Sequence, residues 1–163
     1  MFIQKMFLTG YILITATILV SCSATGPLFK ESSKVDDWAT VYIYRPRVFC
    51  LSARKPDIYI NGVKIIELQN NGYTSFRLKP NTNLIESKGL NDSPSMHTKI
   101  NFELFDTNQY YIEYHIVCNW GIIGMNGYAI FKVKEKIVAL PEISQTHYQA
   151  PLIEYVESST SQQ

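Results

Sequence analysis

Asn61-Gly62 sits between Asp57-Ile-Tyr-Ile60 and Val63-Lys-Ile-Ile66. Asn and Gly both tolerate positive φ, which a two-residue hairpin turn needs at its two central positions. The turn places Ile60 opposite Val63 and Ile58 opposite Ile65, with both pairs on one face. Ile65-Ile66 then breaks the alternation, which is the pattern of a β-bulge. A hairpin with one apolar face cannot stand alone in water, so the rest of the chain must supply a second layer.

Further strand signals follow at short, even spacing. Ala39 to Arg45 alternates Val41 and Ile43 with Tyr42 and Tyr44, and Pro46 stops it. Asn70-Asn71-Gly72 and Pro80-Asn81 bracket a strand with Phe76 and Leu78 inward, and Leu84 to Lys88 reads as a short strand after it. Lys99 to Phe105 puts Ile100, Phe102 and Leu104 inward. Gln109 to Val117 puts Tyr110, Ile112, Tyr114 and Ile116 on one side. Tyr128 to Lys136 puts Ala129, Phe131 and Val133 inward, with Lys132 and Lys134 outward. Leu140 to His147 reads as a short helix with Pro141 in its first turn. About seven or eight short strands with almost no helical period predict an all-β fold, an antiparallel β-sandwich. The abundance of Tyr (11) and Phe (8) agrees with strands.

Upstream, Lys5 precedes the mostly apolar run Met6 to Val20, which is shorter than the ~20 residues that span a bilayer comfortably. The run ends in Leu19-Val20-Ser21-Cys22 in place of Ala-x-Ala. This ending resembles the bacterial lipoprotein signal: aliphatic, small or aliphatic, small, Cys. The resemblance implies a diacylglyceryl group on the Cys22 sulfur, cleavage between Ser21 and Cys22, and N-acylation of Cys22. Ser23 in the next position implies export to the outer membrane in a Gram-negative cell. The expected organisation is a signal peptide over 1–21, a lipidated flexible tether over 22–38, one domain over 39–148 and a disordered tail over 149–163. The formal charge is +1, and loss of Lys5 leaves equal numbers of basic and acidic residues. A neutral domain without a basic stripe excludes nucleic acid as the expected partner.

Few residues suggest chemistry. Cys50 and Cys118 each follow the end of a predicted strand. They are either a disulfide across one rim of the sandwich or two buried thiols behaving as small hydrophobes. Trp120 to Gly127 reads as a glycine-punctuated loop. Its Trp120, Ile122, Ile123 and Met125 either form an exposed apolar lip for a partner or membrane surface, or fold back to plug the sandwich. The tyrosines form either a carbohydrate-stacking face or ordinary strand faces. His97, His115 and His147 lack ligand spacing, and Glu103 and Glu113 read as outward-facing. No catalytic residues, metal site or cofactor are expected.

Six segments carry a wider likeness: Val41-Tyr-Ile-Tyr-Arg-Pro46, Phe49 to Ala53, Tyr59-Ile-Asn-Gly62, Gly72-Tyr-Thr-Ser-Phe76, Tyr110-Tyr-Ile112 and Glu142 to Thr146. Together they resemble a family of small Gram-negative lipoproteins with one domain of unknown function, over about Ala39 to His147. The chain departs from that pattern in having one residue fewer between Tyr59 and the turn, Cys50 in a loop usually without Cys, and Asn81 where Gly is common. The resemblance implies a transthyretin-like sandwich and transfers no catalytic residue. The resulting expectation is a non-enzymatic, outer-membrane-anchored lipoprotein facing the periplasm and binding another envelope component. The alternatives are an accessory subunit of a secretion or efflux assembly, and a small-ligand or glycan-binding module.

Overall fold

The computed structural model describes residues 23–33, 37–89, 94–121 and 124–156. Among the described residues ten strands and one α-helix run in the order β1 (Ala39–Arg45), β2 (Asp57–Ile60), β3 (Val63–Glu67), β4 (Gly72–Leu78), β5 (Thr82–Lys88), β6 (Thr98–Glu103), β7 (Gln109–Gly121), β8 (Gly124–Lys134), α1 (Lys136–Ile143), β9 (His147–Tyr148) and β10 (Tyr155–Val156), with a 3-10 turn at Pro94–Met96 before β6. They form two sheets. The larger has the order β10-β4-β1-β7-β8, with β9 also on β4, and the smaller has β3-β2-β5-β6. The expected β-sandwich is the observed architecture. Its pairing is not antiparallel throughout, because β1 and β7 run parallel at the centre of the larger sheet. The short β9 and β10 also add to β4 in parallel.

The Asn61-Gly62 turn forms with φ of 49° and 82° at its two residues. Ile60 faces Val63 as expected, but the register shifts between Ile58 and Tyr59, so Ile58 faces Ile66 rather than Ile65. The bulge lets Ile65 and Ile66 both be buried. Ile43, Phe76 and Ile112 of the larger sheet meet Ile58, Ile60 and Ile85 of the smaller in the main core. Each such side chain contributes about 1.5–3 kcal/mol when fully buried. Val133, expected inward, is 48% exposed, because it lies near the end of β8 at the edge of its sheet.

The opposite face of the larger sheet is not left to solvent. Tyr42, Tyr44, Tyr73 and Tyr111 form a second buried cluster with Ala139 and Ile143 of α1, and Phe29 packs against it. Tyr42 and Tyr111 are direct partners in the parallel register and their rings stack at 5.2 Å. Two layers therefore cover β1, and all seven of its residues are buried. The covering layer includes residues 28–33, which lie within the expected tether. The Ser32 amide donates to the Tyr42 hydroxyl at 2.7 Å, and the Tyr111 hydroxyl donates to Glu31 at 2.6 Å. Arg77 holds the Ser33 carbonyl at 3.1 Å. These phenols need buried partners, and a nearby polar backbone segment supplies them. The tail expectation also changes. Residues 149–156 are ordered along the sheets, with Val156 only 4% exposed, and 157–163 lie outside the described residues.

The helix spans Lys136–Ile143, not Leu140 to His147, so Pro141 sits near its end and not in its first turn. β8 runs almost directly into it, which moves the start upstream. No helix among the described residues is long and apolar enough to cross a membrane.

Arg45 closes one end of the main core. It is 0% exposed, and its guanidinium donates to the carbonyls of Arg54 at 2.6 Å and Leu51 at 2.7 Å, with Leu68 more distant at 3.4 Å. Burial lowers its pKa to about 10, so it stays charged at neutral pH. Arg45→Met should remove the guanidinium donor from the Arg54 and Leu68 carbonyls and leave the Leu51 carbonyl with the Arg54 amide alone. We expect a loss of about 3 kcal/mol in urea unfolding, and a change below 0.5 kcal/mol would show that water replaces the guanidinium freely.

Candidate functional site

The larger sheet's outer face and α1 meet along a groove of about 410 Å³, lined by Pro46, Arg47, Val48, Asn71, Glu113, His115, Pro141 and Glu142 among others. Strand alternation puts Tyr111, Glu113 and His115 on the helix side of β7, and Lys132 and Lys134 on the same side of β8. Glu113 is consequently buried, at 4% exposure, and not outward-facing in solvent. The assignment of its face was sound, but α1 covers that face.

Glu113 holds the cluster together. One of its oxygens lies 2.6 Å from His115 Nδ1 and the other 2.9 Å from Lys134 Nζ. Lys134 also reaches Glu142 of α1 at 3.4 Å, and the Tyr44 hydroxyl donates to the second Glu142 oxygen at 2.6 Å. The chain Tyr44–Glu142–Lys134–Glu113–His115 thus ties helix to sheet through hydrogen bonds and, between Lys134 and Glu113, an ion pair without hydrogen-bond geometry. Burial pushes the Glu113 carboxyl up, but bonds from His115 and Lys134 outweigh it and hold the pKa below its usual value. Burial, together with the bond to Glu142, raises the Tyr44 phenol far above its ordinary value. In chemical terms the groove offers a half-exposed imidazole oriented by a carboxylate, with Glu142 and the Arg47 end of the loop beside it. Those groups suit recognition of a polar side chain or small polar group.

At the end of the sandwich where β1 stops, several sequence-predicted residues come together. Cys50 and Cys118 form a disulfide with Cα atoms 6.2 Å apart, within the usual range for a bridge. Cys118 lies inside β7, whose parallel pairing with β1 carries it beyond Arg45 to the Cys50 loop. The expected loop from Trp120 to Gly127 is mostly the two arms of the β7–β8 hairpin, with Trp120 opposite Met125 and Gly121 opposite Gly124 in backbone register. Ile122, Ile123 and Cys22 lie outside the described residues. Of the two readings of the tyrosines, Tyr42, Tyr44, Tyr73 and Tyr111 follow the strand-face one, since each is no more than 4% exposed and packed under α1 and Phe29. Glu113, His115 and Lys134 carried no recognisable motif, and Glu142 entered only through the Glu142 to Thr146 segment of the family likeness. The one available signal was the same-face alternation of Tyr111, Glu113 and His115 in a strand.

The architecture defines a two-sheet β-sandwich with a helix and an N-terminal strap on one outer face. Residues 35–128, more than half of the chain, match the family model described as a protein of unknown function (DUF2846), and the chain belongs to that family. No curated protein and no solved structure matches it.

Glu113 contributes stability that is fully present above the ordinary carboxylate pKa of about 4.3 and is lost as pH falls through its depressed folded-state value. Glu113→Gln should lower stability at pH 7 by about 1–3 kcal/mol and flatten the acid limb of a pH–stability curve; an unchanged acid limb would contradict the role given to Glu113. Replacing both Cys50 and Cys118 by Ser should cost roughly 4 kcal/mol in the chain-entropy model, read as a lower denaturation midpoint that added reductant no longer shifts.

Proposed function

We propose that this protein is a lipid-anchored, non-catalytic domain of the bacterial cell envelope. In this reading Cys22 carries the lipid at the outer membrane, the sandwich faces the periplasm, and it binds another envelope component. The observation that carries the reading is Leu19-Val20-Ser21-Cys22 at the end of a short apolar run behind Lys5. The Cys50–Cys118 disulfide supports it, because such bridges persist in oxidising compartments outside the cytoplasm. The physical need for lipid supports it as well. A neutral domain has little long-range attraction to an anionic surface, whereas two or three acyl chains, at ~0.8 kcal/mol per buried CH₂, hold essentially permanently. The groove beside His115 and Glu142 is the place where a polar group of the partner would bind. Membership in a family of unknown function neither adds to nor subtracts from this reading.

The test is metabolic labelling with palmitate in cells expressing the full chain. Cys22→Ala should abolish label incorporation and leave the signal segment uncleaved, while Cys50→Ser with Cys118→Ser keeps the label. Equal palmitate incorporation by the Cys22→Ala variant would refute the anchoring.

A further inference from the structure

The first described residues are not slack chain. Ser23 pairs with Asn70 in an isolated parallel bridge, and the Ala24 amide donates to the Asn70 carbonyl at 2.9 Å. Asn70 is itself 3% exposed, and its side chain clamps Val48 from both sides. Its oxygen accepts from the Val48 amide at 3.0 Å, and its nitrogen donates to the Val48 carbonyl at 2.9 Å. Phe49 comes next in the chain. Cys22 directly precedes Ser23 in the sequence. Ser23, the residue after the proposed anchor, is thus linked to the Phe49 loop through a short run of contacts, Ser23 to Asn70 to Val48.

Phe49 is 82% exposed, and Arg47 and Arg54 on the same loop are exposed too. The loop is held stiffly. Arg45 takes the carbonyls of Leu51 and Arg54, the disulfide ties Cys50 to β7, and Leu51 adopts φ of 55°. A rigid loop that exposes an aromatic ring, with Arg47 before it in the chain at the edge of the groove and Arg54 after it, matches the composition of a bilayer-surface contact. The ring suits the boundary of the acyl region, and the guanidinium groups suit the phosphates above it. The β7–β8 arms run past this same end, since β7 is parallel to β1 and continues beyond its last partner, Glu113.

We infer that this end of the sandwich rests on the phospholipid bilayer that holds the lipid of Cys22. Phe49 enters the headgroup–acyl boundary, and Arg47 and Arg54 bind lipid phosphates. The domain then sits on the membrane in one orientation instead of swinging on a tether. The inference rests on the lipid anchoring proposed above, and it adds an occupant for the Phe49 loop and a direction for the domain.

Phe105 supplies an internal control. It is 79% exposed, close to Phe49, but it lies at the opposite end, near the Asn108 carbonyl that accepts from Thr40 at the start of β1. The full-length protein, purified with its lipid, is placed in vesicles of phosphatidylethanolamine and phosphatidylglycerol, with photoreactive benzoylphenylalanine in place of Phe49 or of Phe105. Both positions are exposed, so neither replacement disturbs packing. Irradiation should give lipid adducts at position 49 and none above background at position 105, read by mass spectrometry. Equal lipid adducts at both positions, no lipid adduct at 49, or an adduct at 49 to a second copy of the protein would each overturn the docking. Palmitate labelling of the same samples separates the two ideas. Label without a lipid adduct at 49 removes the docking and leaves the anchor standing, whereas absence of label removes the anchor and the docking together.

Discussion

The buried guanidinium of Arg45 is the contact on which one whole end of this molecule depends. Arg45 is the last residue of β1, on the same face as Val41 and Ile43, so its stem continues the main core and its head emerges where the core stops. There it gathers carbonyls from Leu51 and Arg54, in the segment that carries the chain from the larger sheet to the smaller, and leans towards Leu68 after β3. Those carbonyls belong to irregular backbone near the core, which has no ladder partners of its own. A charged donor with several N–H groups in a fixed fork satisfies them with one side chain, which a lysine or an apolar residue cannot do. The stiffness of the Phe49 loop and the clustering of Ser23, Asn70 and the disulfide at that end follow from this closure.

A second constraint is that β1 has two cores to serve. Its alternation sends Val41 and Ile43 into the space between the sheets, and Tyr42 and Tyr44 to the other side. Tyrosine suits the second side because its ring fills an apolar layer while its hydroxyl reaches the polar segment lying over it. Glu31, Ser32 and Glu142 meet those hydroxyls, so the N-terminal strap and α1 act as lids on one face. Glu113 and Lys134 lie under the helix end of the same lid, where partial burial strengthens their pairing. The groove beside His115 is what remains open where the loop after β1 and α1 fail to meet.

Much of the sandwich was legible in the sequence, and the limits of that reading are informative. Strand positions followed from alternation, and the Asn61-Gly62 hairpin from turn chemistry, because both are set by residues close in the chain. The Ile65-Ile66 break announced the bulge but not its consequence, a partner change from Ile65 to Ile66 opposite Ile58. At Glu113 alternation gave the right face and the wrong environment, since α1 returns to cover it. Residues 22–38 read as a tether because Ser, Gly, Pro and Lys show no period. A strap held by side chains of distant tyrosines needs no period of its own. The candidate groove was illegible for the same reason, because its members come from the loop after β1, from Asn71, from β7 and from α1, and share no spacing.

The sequence by itself determined the strands, the tight turns, the two-layer class and the segment ending in Cys22. Each of these rests on local sterics or on short-range patterns of apolar and polar residues. Only the tertiary structure decided the parallel pairing of β1 with β7, the disulfide between Cys50 and Cys118, the burial of the tyrosine face and the pairing of Ser23 with Asn70. These depend on which distant segments meet. Alternation says that a face is apolar or polar, but it does not say what will come back along the chain to cover it.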